Sequence, residues 1–280
     1  MIIVNNIDEM HDLSNKWRQD GKSIGLVPTM GYLHEGHLSL INAARGENDI
    51  VVTSIFVNPS QFGPNEDFER YPRDMEADSA ACELAGVDVI FAPDAQEMYP
   101  EGYTTYVEPG AIGQRLCGVT RPIHFRGVCT VVLKLFNIIQ PLNAYFGQKD
   151  AQQYLILKRM VADLNLDINL HRMPIIREAD GLAKSSRNVY LTPEQREQAT
   201  MLFAAVKKAE QLYRAGERDS ATILAAMSDE LAKASLAKVD YLQIVETDNL
   251  LPVQHIDREV LVAMAVYFGS TRLIDNTILG

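Results

Sequence analysis

Two histidines three residues apart, His34 and His37, stand in the segment Pro28-Thr29-Met30-Gly31-Tyr32-Leu33-His34-Glu35-Gly36-His37. It lies between an apolar β-rich run and the start of a helical pattern. Imidazoles at that spacing near a helix N-terminus can face one bound anion. Gly31 and Gly36 let the backbone approach a ligand closely, and the helix beyond offers N–H groups to phosphate. No Gly-Lys-Ser/Thr follows, so this is not a Walker A loop. His-Glu-Gly-His also lacks the four-residue step of a zinc-protease helix. Alone, the pair reads either as a phosphate site or as two ordinary loop histidines.

Three further segments carry polar chemistry at strand ends or at a junction. Phe56-Val57-Asn58-Pro59-Ser60-Gln61-Phe62-Gly63-Pro64 places Asn58 and Gln61 where they can hold hydroxyl, carboxylate or carbonyl groups, although Asn-Pro and Gly-Pro also make plain turns. Phe146-Gly147-Gln148-Lys149-Asp150-Ala151-Gln152-Gln153 puts a lysine beside a helix start. The helix dipole disfavours a cation there, a conflict that a bound phosphate would resolve. Asp180-Gly181-Leu182-Ala183-Lys184-Ser185-Ser186-Arg187-Asn188 gathers cationic and hydroxyl donors in a loop that is either a phosphate clamp or a polar linker. Arg121 and His124 are weaker candidates. His11, His171 and His255 read as structural, and Met30, Phe56 and Phe62 line a pocket or belong to the core. No carboxylate pair has a spacing that indicates a metal.

The elements that must position these residues alternate over the first 175 or so positions. Strands are expected at 23–27, 50–57, 87–92, 143–147 and 167–173. Helices are expected at 36–45 with Gly46 as the residue past its end, at 74–85, at 126–139, and from Asp150 to about Leu164. This order predicts an α/β fold, a Rossmann-like doubly wound parallel sheet with ligands beyond the C-terminal strand ends. After Pro174 come two amphipathic helices, 193–214 and 219–233, then strands at 239–245, 259–267 and 273–278. They predict a smaller α+β domain at 177–280 that acts as a lid over a nucleotide- and substrate-binding domain at 1–176.

Bulk properties exclude other classes. At 280 residues, 47% hydrophobic and 22% charged, the chain falls in the globular range. A formal charge of -11 argues against nucleic acid or an anionic membrane as partner. Cys82, Cys117 and Cys129 lack CxxC spacing and read as reduced thiols. The first residues lack a basic-then-apolar leader, and no stretch approaches a membrane span, so a cytoplasmic location is expected.

Taken together, PTMGYLHEGH, SIFVNPSQFGPNEDFERYPR, TRPIHFRGV, FGQKDAQQ and DGLAKSSRN closely resemble the AMP-forming pantoate–β-alanine ligases from about Val27 to Asn188. The His-x-Gly-His and Ser-Ser-Arg elements are also similar to motifs of the wider nucleotidyltransferase superfamily. The resemblance implies ATP-dependent activation of pantoate as an acyl adenylate, then attack by β-alanine. It implies ATP contacts at Met30, Gly31, Tyr32, Leu33, His34, Glu35, Gly36, His37, Gly147, Gln148, Lys149, Asp150, Ile176, Lys184, Ser185, Ser186 and Arg187. Among these, His37, His34, Lys149 and Arg187 would act in catalysis. Gln61 and Gln153, with Asn58 and Arg121, would hold pantoate or β-alanine. Mg²⁺ would accompany ATP through ligands the sequence leaves open, and the protein would form a homodimer.

Two positions depart from the family pattern. Gln148 stands where Glu is usual, and Lys184 where Met or Leu is usual; neither is expected to abolish activity. A nucleotidyltransferase that releases a nucleotide product would share the histidines but not the Gln61 and Gln153 segments. A tRNA-charging relative would need a larger chain or a basic part, and a non-catalytic nucleotide-binding module would bind ATP without turnover.

Overall fold

The computed structural model describes residues 1–64 and 66–280. The chain forms two compact units. The first comprises Met1–Gln114, Gly118–Gly147 and Ile156–Pro174; the second comprises Arg115–Cys117, Gln148–Leu155 and Ile175–Gly280. The main change-over falls after Pro174, and two short earlier pieces belong with the second unit. Side-chain bonds account for both. Cys117 N–H donates to Gln152 Oε1, Gln152 Nε2 donates to the Arg115 carbonyl, and Asn276 Nδ2 donates to the carbonyls of Gln148 and Lys149.

In the first unit a six-stranded sheet runs in the order β1-β4-β3-β2-β5-β6, every neighbouring pair parallel. In chain order the elements are β1 (Ile2–Val4), α1 (Ile7–Gln19), β2 (Ile24–Thr29), α2 (Glu35–Glu47), β3 (Ile50–Ile55), α3 (Met75–Leu84), β4 (Val89–Phe91) and α4 (Ala95–Met98). After them come α5 (Cys117–Thr120), α6 (His124–Ile139), β5 (Asn143–Gly147), α7 (Ala151–Asp163) and β6 (Asn169–Met173). α5 and α7 each straddle the two units. β3 is rich in β-branched residues and buried along its whole length, as a strand covered on both faces must be. Val27, Ile41, Ala44, Val51, Ile90 and Tyr145 belong to one buried cluster that joins α2 to the sheet. Strands added outward from β2 go one way to β3 and β4 and the other way to β5 and β6. The switch point between β2 and β5 is where such sheets bind ligands.

In the second unit α8 (Pro193–Gln198), α9 (Met201–Arg214) and α10 (Ser220–Leu231) precede an antiparallel meander of β7 (Ala237–Glu246), β8 (Val260–Phe268) and β9 (Thr271–Leu279). Leu202, Val206, Ile223 and Met227 pack with Val260, Val262, Met264 and Leu273 in one core.

Three local expectations change. Gly46 lies inside α2 rather than beyond it. The helix ends instead at Asn48, whose Nδ2 donates to the Ala44 carbonyl and whose own carbonyl accepts from Arg45. The expected helix 193–214 is two helices, opened by a capping box of Thr192 and Gln195 and interrupted at Ala199 and Thr200, where Thr200 Oγ1 donates to the Glu197 carbonyl. β1 is a short edge strand with Ile2 and Ile3 exposed, a pattern that gives sequence reading little to detect.

Candidate active site

β2 ends at Thr29, and the chain turns through Gly31 (φ 79°) and Tyr32 (φ 52°) before α2 begins. These left-handed residues point the N–H groups of Tyr32 and Leu33 the same way, as in an anion-binding nest. The anion is internal: Asp78, on α3, accepts from Tyr32 N–H at 2.8 Å and from Leu33 N–H at 2.6 Å. Burial raises the Asp78 pKa, while the two N–H bonds oppose that rise. Nothing in the sequence singled out Asp78, which sits mid-helix with no motif around it. An added Cβ at Gly31 would stand 2.8 Å from its Oδ2, so glycine here serves close approach as well as positive φ.

His34 is the N-cap of α2. Its Nδ1 accepts from Gly36 N–H at 3.1 Å, and His37 Nδ1 accepts from His34 N–H at 3.3 Å. The two rings lie 4.1 Å apart between centroids. Since both Nδ1 atoms accept from backbone N–H groups, each neutral ring carries its proton on Nε2. The helix start therefore offers imidazole donors in addition to its backbone. An added Cβ at Gly36 would meet the His34 ring at 2.8 Å, which explains the glycine between the histidines.

After β3, Asn58 caps a 3₁₀ turn, Pro59–Gln61, that packs against α6. The packing is close enough that a Cβ on Gly127 would come within 2.4 Å of the Ser60 carbonyl. Asn58 and Gln61 are both buried, at 1% and 7% exposure. Gln61 Nε2 donates to Met30 Sδ at 3.2 Å, which brings the second segment against the first. His124 Nδ1 lies 3.1 Å from the Gln61 carbonyl. Arg121 reaches that carbonyl at 3.5 Å but directs its charge at Glu66, to which Nε donates at 2.9 Å and Nη2 more closely still. Gly147, the last residue of β5, completes the first unit's share of candidate positions.

The remaining candidates belong to the second unit. Gln148–Asp150 form a 3₁₀ turn, with Lys149 Nζ 3.5 Å from Asp150 Oδ2. Asn276 holds this turn by three bonds: Nδ2 donates to both carbonyls, and Oδ1 accepts from Gln148 Nε2 at 2.7 Å. Gln153 lies half-buried in the first turn of α7. In the junction loop, Lys184 N–H bonds the Ile176 carbonyl at 2.9 Å. Ser185 caps the turn Ser186–Tyr190 by accepting from Arg187 N–H at 3.3 Å. Arg177 pairs with buried Asp275 through both guanidinium nitrogens, at 2.7 and 2.9 Å. Arg196 ties Glu178 and Asp180, at 2.7 and 2.8 Å. Sequence reading missed Asn276, Asp275 and Arg196, since each lies far along the chain from the loop it secures.

A parallel sheet with paired histidines at its switch point places the chain among the Rossmann-like enzymes that act on nucleotides. Residues 2–278 match the family Pantoate-beta-alanine ligase, and the chain belongs to that family. It is 58% identical to the pantothenate synthetase of Thermotoga petrophila over 280 residues, covering 100% of both chains. It is 54% identical to that of Acetivibrio thermocellus, covering 100% of this chain and 99% of the other. The crystal structure of pantothenate synthetase from Thermus thermophilus has a TM-score of 0.93 at 45% identity, covering 99% of each chain. A pantoate-β-alanine ligase from Francisella tularensis, complexed with beta-gamma ATP and β-alanine, has a TM-score of 0.80 at 37% identity, covering 99% and 97%.

Proposed function

We propose that the chain condenses pantoate with β-alanine through a pantoyl adenylate formed from ATP. The pantoate carboxylate attacks the α-phosphorus, and pyrophosphate leaves with the electrons of the bond it breaks. The β-alanine amine then attacks the acyl carbon, loses a proton, and AMP departs as pantothenate forms. The observation that carries the reading is the histidine pair at the switch point, with both Nδ1 atoms accepting from backbone N–H groups. Donors already aimed at an oxyanion lower a barrier without reorganising during the step.

In this reading His37 and His34 donate to phosphate oxygens, and Lys149 and Arg187 stabilise the leaving pyrophosphate. Met30 to His37, Gly147 to Asp150, Ile176 and Lys184 to Arg187 frame the nucleotide. Gln61 and Gln153 hold pantoate, and Arg121, already paired with Glu66, serves as a neighbour of Gln61. The loop 180–188 closes the site to water, as a lid protecting a reactive acyl phosphate.

Mg²⁺ enters with ATP. It takes most of its ligands from phosphate and water, with few from protein. Among the described residues no group of three or more His, Cys, Asp or Glu forms a cage, and Glu35 and Asp150 are the carboxylates of the nucleotide-framing set. When bound, the ion supplies neutralising charge on the phosphate oxygens. The proposal extends to a homodimer and to a cytoplasmic location; no helix of the described residues is long and apolar enough to cross a membrane.

Pyrophosphate–ATP exchange tests the reading. Exchange that requires pantoate and proceeds without β-alanine supports it. Exchange driven only by β-alanine, or by a nucleotide acceptor, overturns it.

A further inference from the structure

The buried polar cluster around Asn58 has a direction that its backbone partners fix. Asn58 Nδ2 donates to the Gly127 carbonyl at 3.1 Å, and a carbonyl can only accept. Asn58 Oδ1 accepts from Ser60 N–H at 3.2 Å, and an N–H can only donate. The amide therefore has one possible orientation, and no hydroxyl rotor or alternative flip can reverse it. Ser60 Oγ and Tyr99 Oη each donate to the same Oδ1 at 2.8 Å. The tyrosine remains a neutral donor, since burial pushes its pKa up to about 12.

One Asn58 hydrogen is left, and it goes to Gln61 Oε1 at 3.0 Å. That bond decides which way the Gln61 amide faces. Its oxygen is held by Asn58, and its Nε2 carries two N–H donors on the other side of the amide. One of them reaches Met30 Sδ, a weak acceptor, and the other has no partner among the described residues. Asn58 itself has no donor left over, and it is 1% exposed.

We infer that Asn58 is a positioning residue, which orients the Gln61 amide so that this side chain offers its N–H donors, and not its carbonyl, to the acid substrate. A contact that only donates selects carboxylate or hydroxyl oxygens and leaves an analogue bearing an N–H in their place without an acceptor. The inference rests on the reading that Gln61 binds pantoate, and it assigns Asn58 to Gln61 rather than to the substrate. Tyr99 and Ser60 stand one step further back, as the donors that saturate the Asn58 oxygen.

A double-mutant cycle over Asn58→Ser and Gln61→Ala tests it, read as KM for pantoate and for ATP in pantoate-dependent pyrophosphate exchange. Serine keeps an oxygen for the Ser60 N–H but does not reach Gln61. The expected result is a rise of about tenfold or more in pantoate KM for each single variant, with ATP KM within about twofold. The double variant should be no worse than Gln61→Ala alone, because the two residues form one path. Additive losses overturn the inference, as does Asn58→Ser leaving pantoate KM unchanged or raising both KM values alike. An unchanged pantoate KM in Gln61→Ala instead overturns the underlying assignment of Gln61. If Asn58→Ser does not fold, Asn58→Asp keeps both shape and turn cap, and the same cycle is read with it.

Discussion

His37 carries two duties at one atom pair: Nδ1 accepts from the His34 backbone, and Nε2 is the donor proposed for phosphate. Alanine removes both, and the two losses separate experimentally. The structural bond is worth about 1 kcal/mol, a small shift in thermal midpoint. Loss of one preorganised donor to the transition state costs on the order of 10²-fold in rate. His37→Ala should therefore lower pantoate-dependent exchange by about two decades while unfolding stays near wild type. A comparable loss of folded protein would show that the residue serves the loop alone. Gln148 offers a second case. Asn276 commits its Nδ2 to two carbonyls, so its Oδ1 needs a donor, and Gln148 Nε2 supplies one. A glutamate at 148 has no N–H to give and would set oxygen against oxygen. Gln148→Glu should cost about 1–2 kcal/mol in urea unfolding, and Gln148→Glu with Asn276→Asp should cost more than either alone. Gln148 is thus matched by its partner on β9.

At the scale of elements, the loop between Ile176 and Tyr190 is held by residues that sequence spacing does not connect to it. Glu178 N–H bonds the Leu182 carbonyl, Gly181 turns at φ 96°, and Arg196 on α8 ties Glu178 and Asp180. A Cβ on Gly181 would also lie 1.8 Å from the Phe203 ring. Gly181→Ala meets a strained φ and a ring that must move, so it should destabilise the second unit by about 2–4 kcal/mol in chemical denaturation. A change under about 0.5 kcal/mol would mean that Phe203 swings away at no cost. The strand–helix alternation was legible because buried parallel strands such as β3 are rich in β-branched residues and because α6 carries a strong apolar stripe. The four polar segments stood out as candidates because they fall at strand ends or at the junction. What escaped is what depends on tertiary partners: Asp78 filling the N–H nest at Tyr32 and Leu33, Asn48 ending α2 past Gly46, and Asn276 clasping the 148–150 turn. Each is an ordinary polar residue whose role exists only once two distant stretches meet.

For the whole molecule, 37 acidic residues against 26 basic ones leave a formal charge of -11, so carboxylate chemistry governs its response to acid. Asp180 is held below its ordinary 3.8 mainly by the Arg196 bond, Asp49 by the Ser23 backbone and hydroxyl, and Asp219 by Thr222. A folded-state pKa below the unfolded one contributes stability that is complete above the unfolded value and is lost as pH falls through the folded value. Asp78 has the opposite sign: its burial raises the folded pKa, so ionisation costs stability, and that cost is relieved as pH falls through the raised value. With three groups against one, the unfolding midpoint should hold nearly level from pH 7 down to about 5 and drop steeply below about 4. Asp180→Asn isolates one term. The aspartate is largely exposed, so solvent screening keeps its contribution under about 1 kcal/mol. The gap between wild type and Asp180→Asn should persist from pH 7 to about 5, shrink in high salt, and close below 3.8. A gap that instead widens on acidification would mean that Arg196 binds Glu178 alone and that Asp180 gains nothing from the pair.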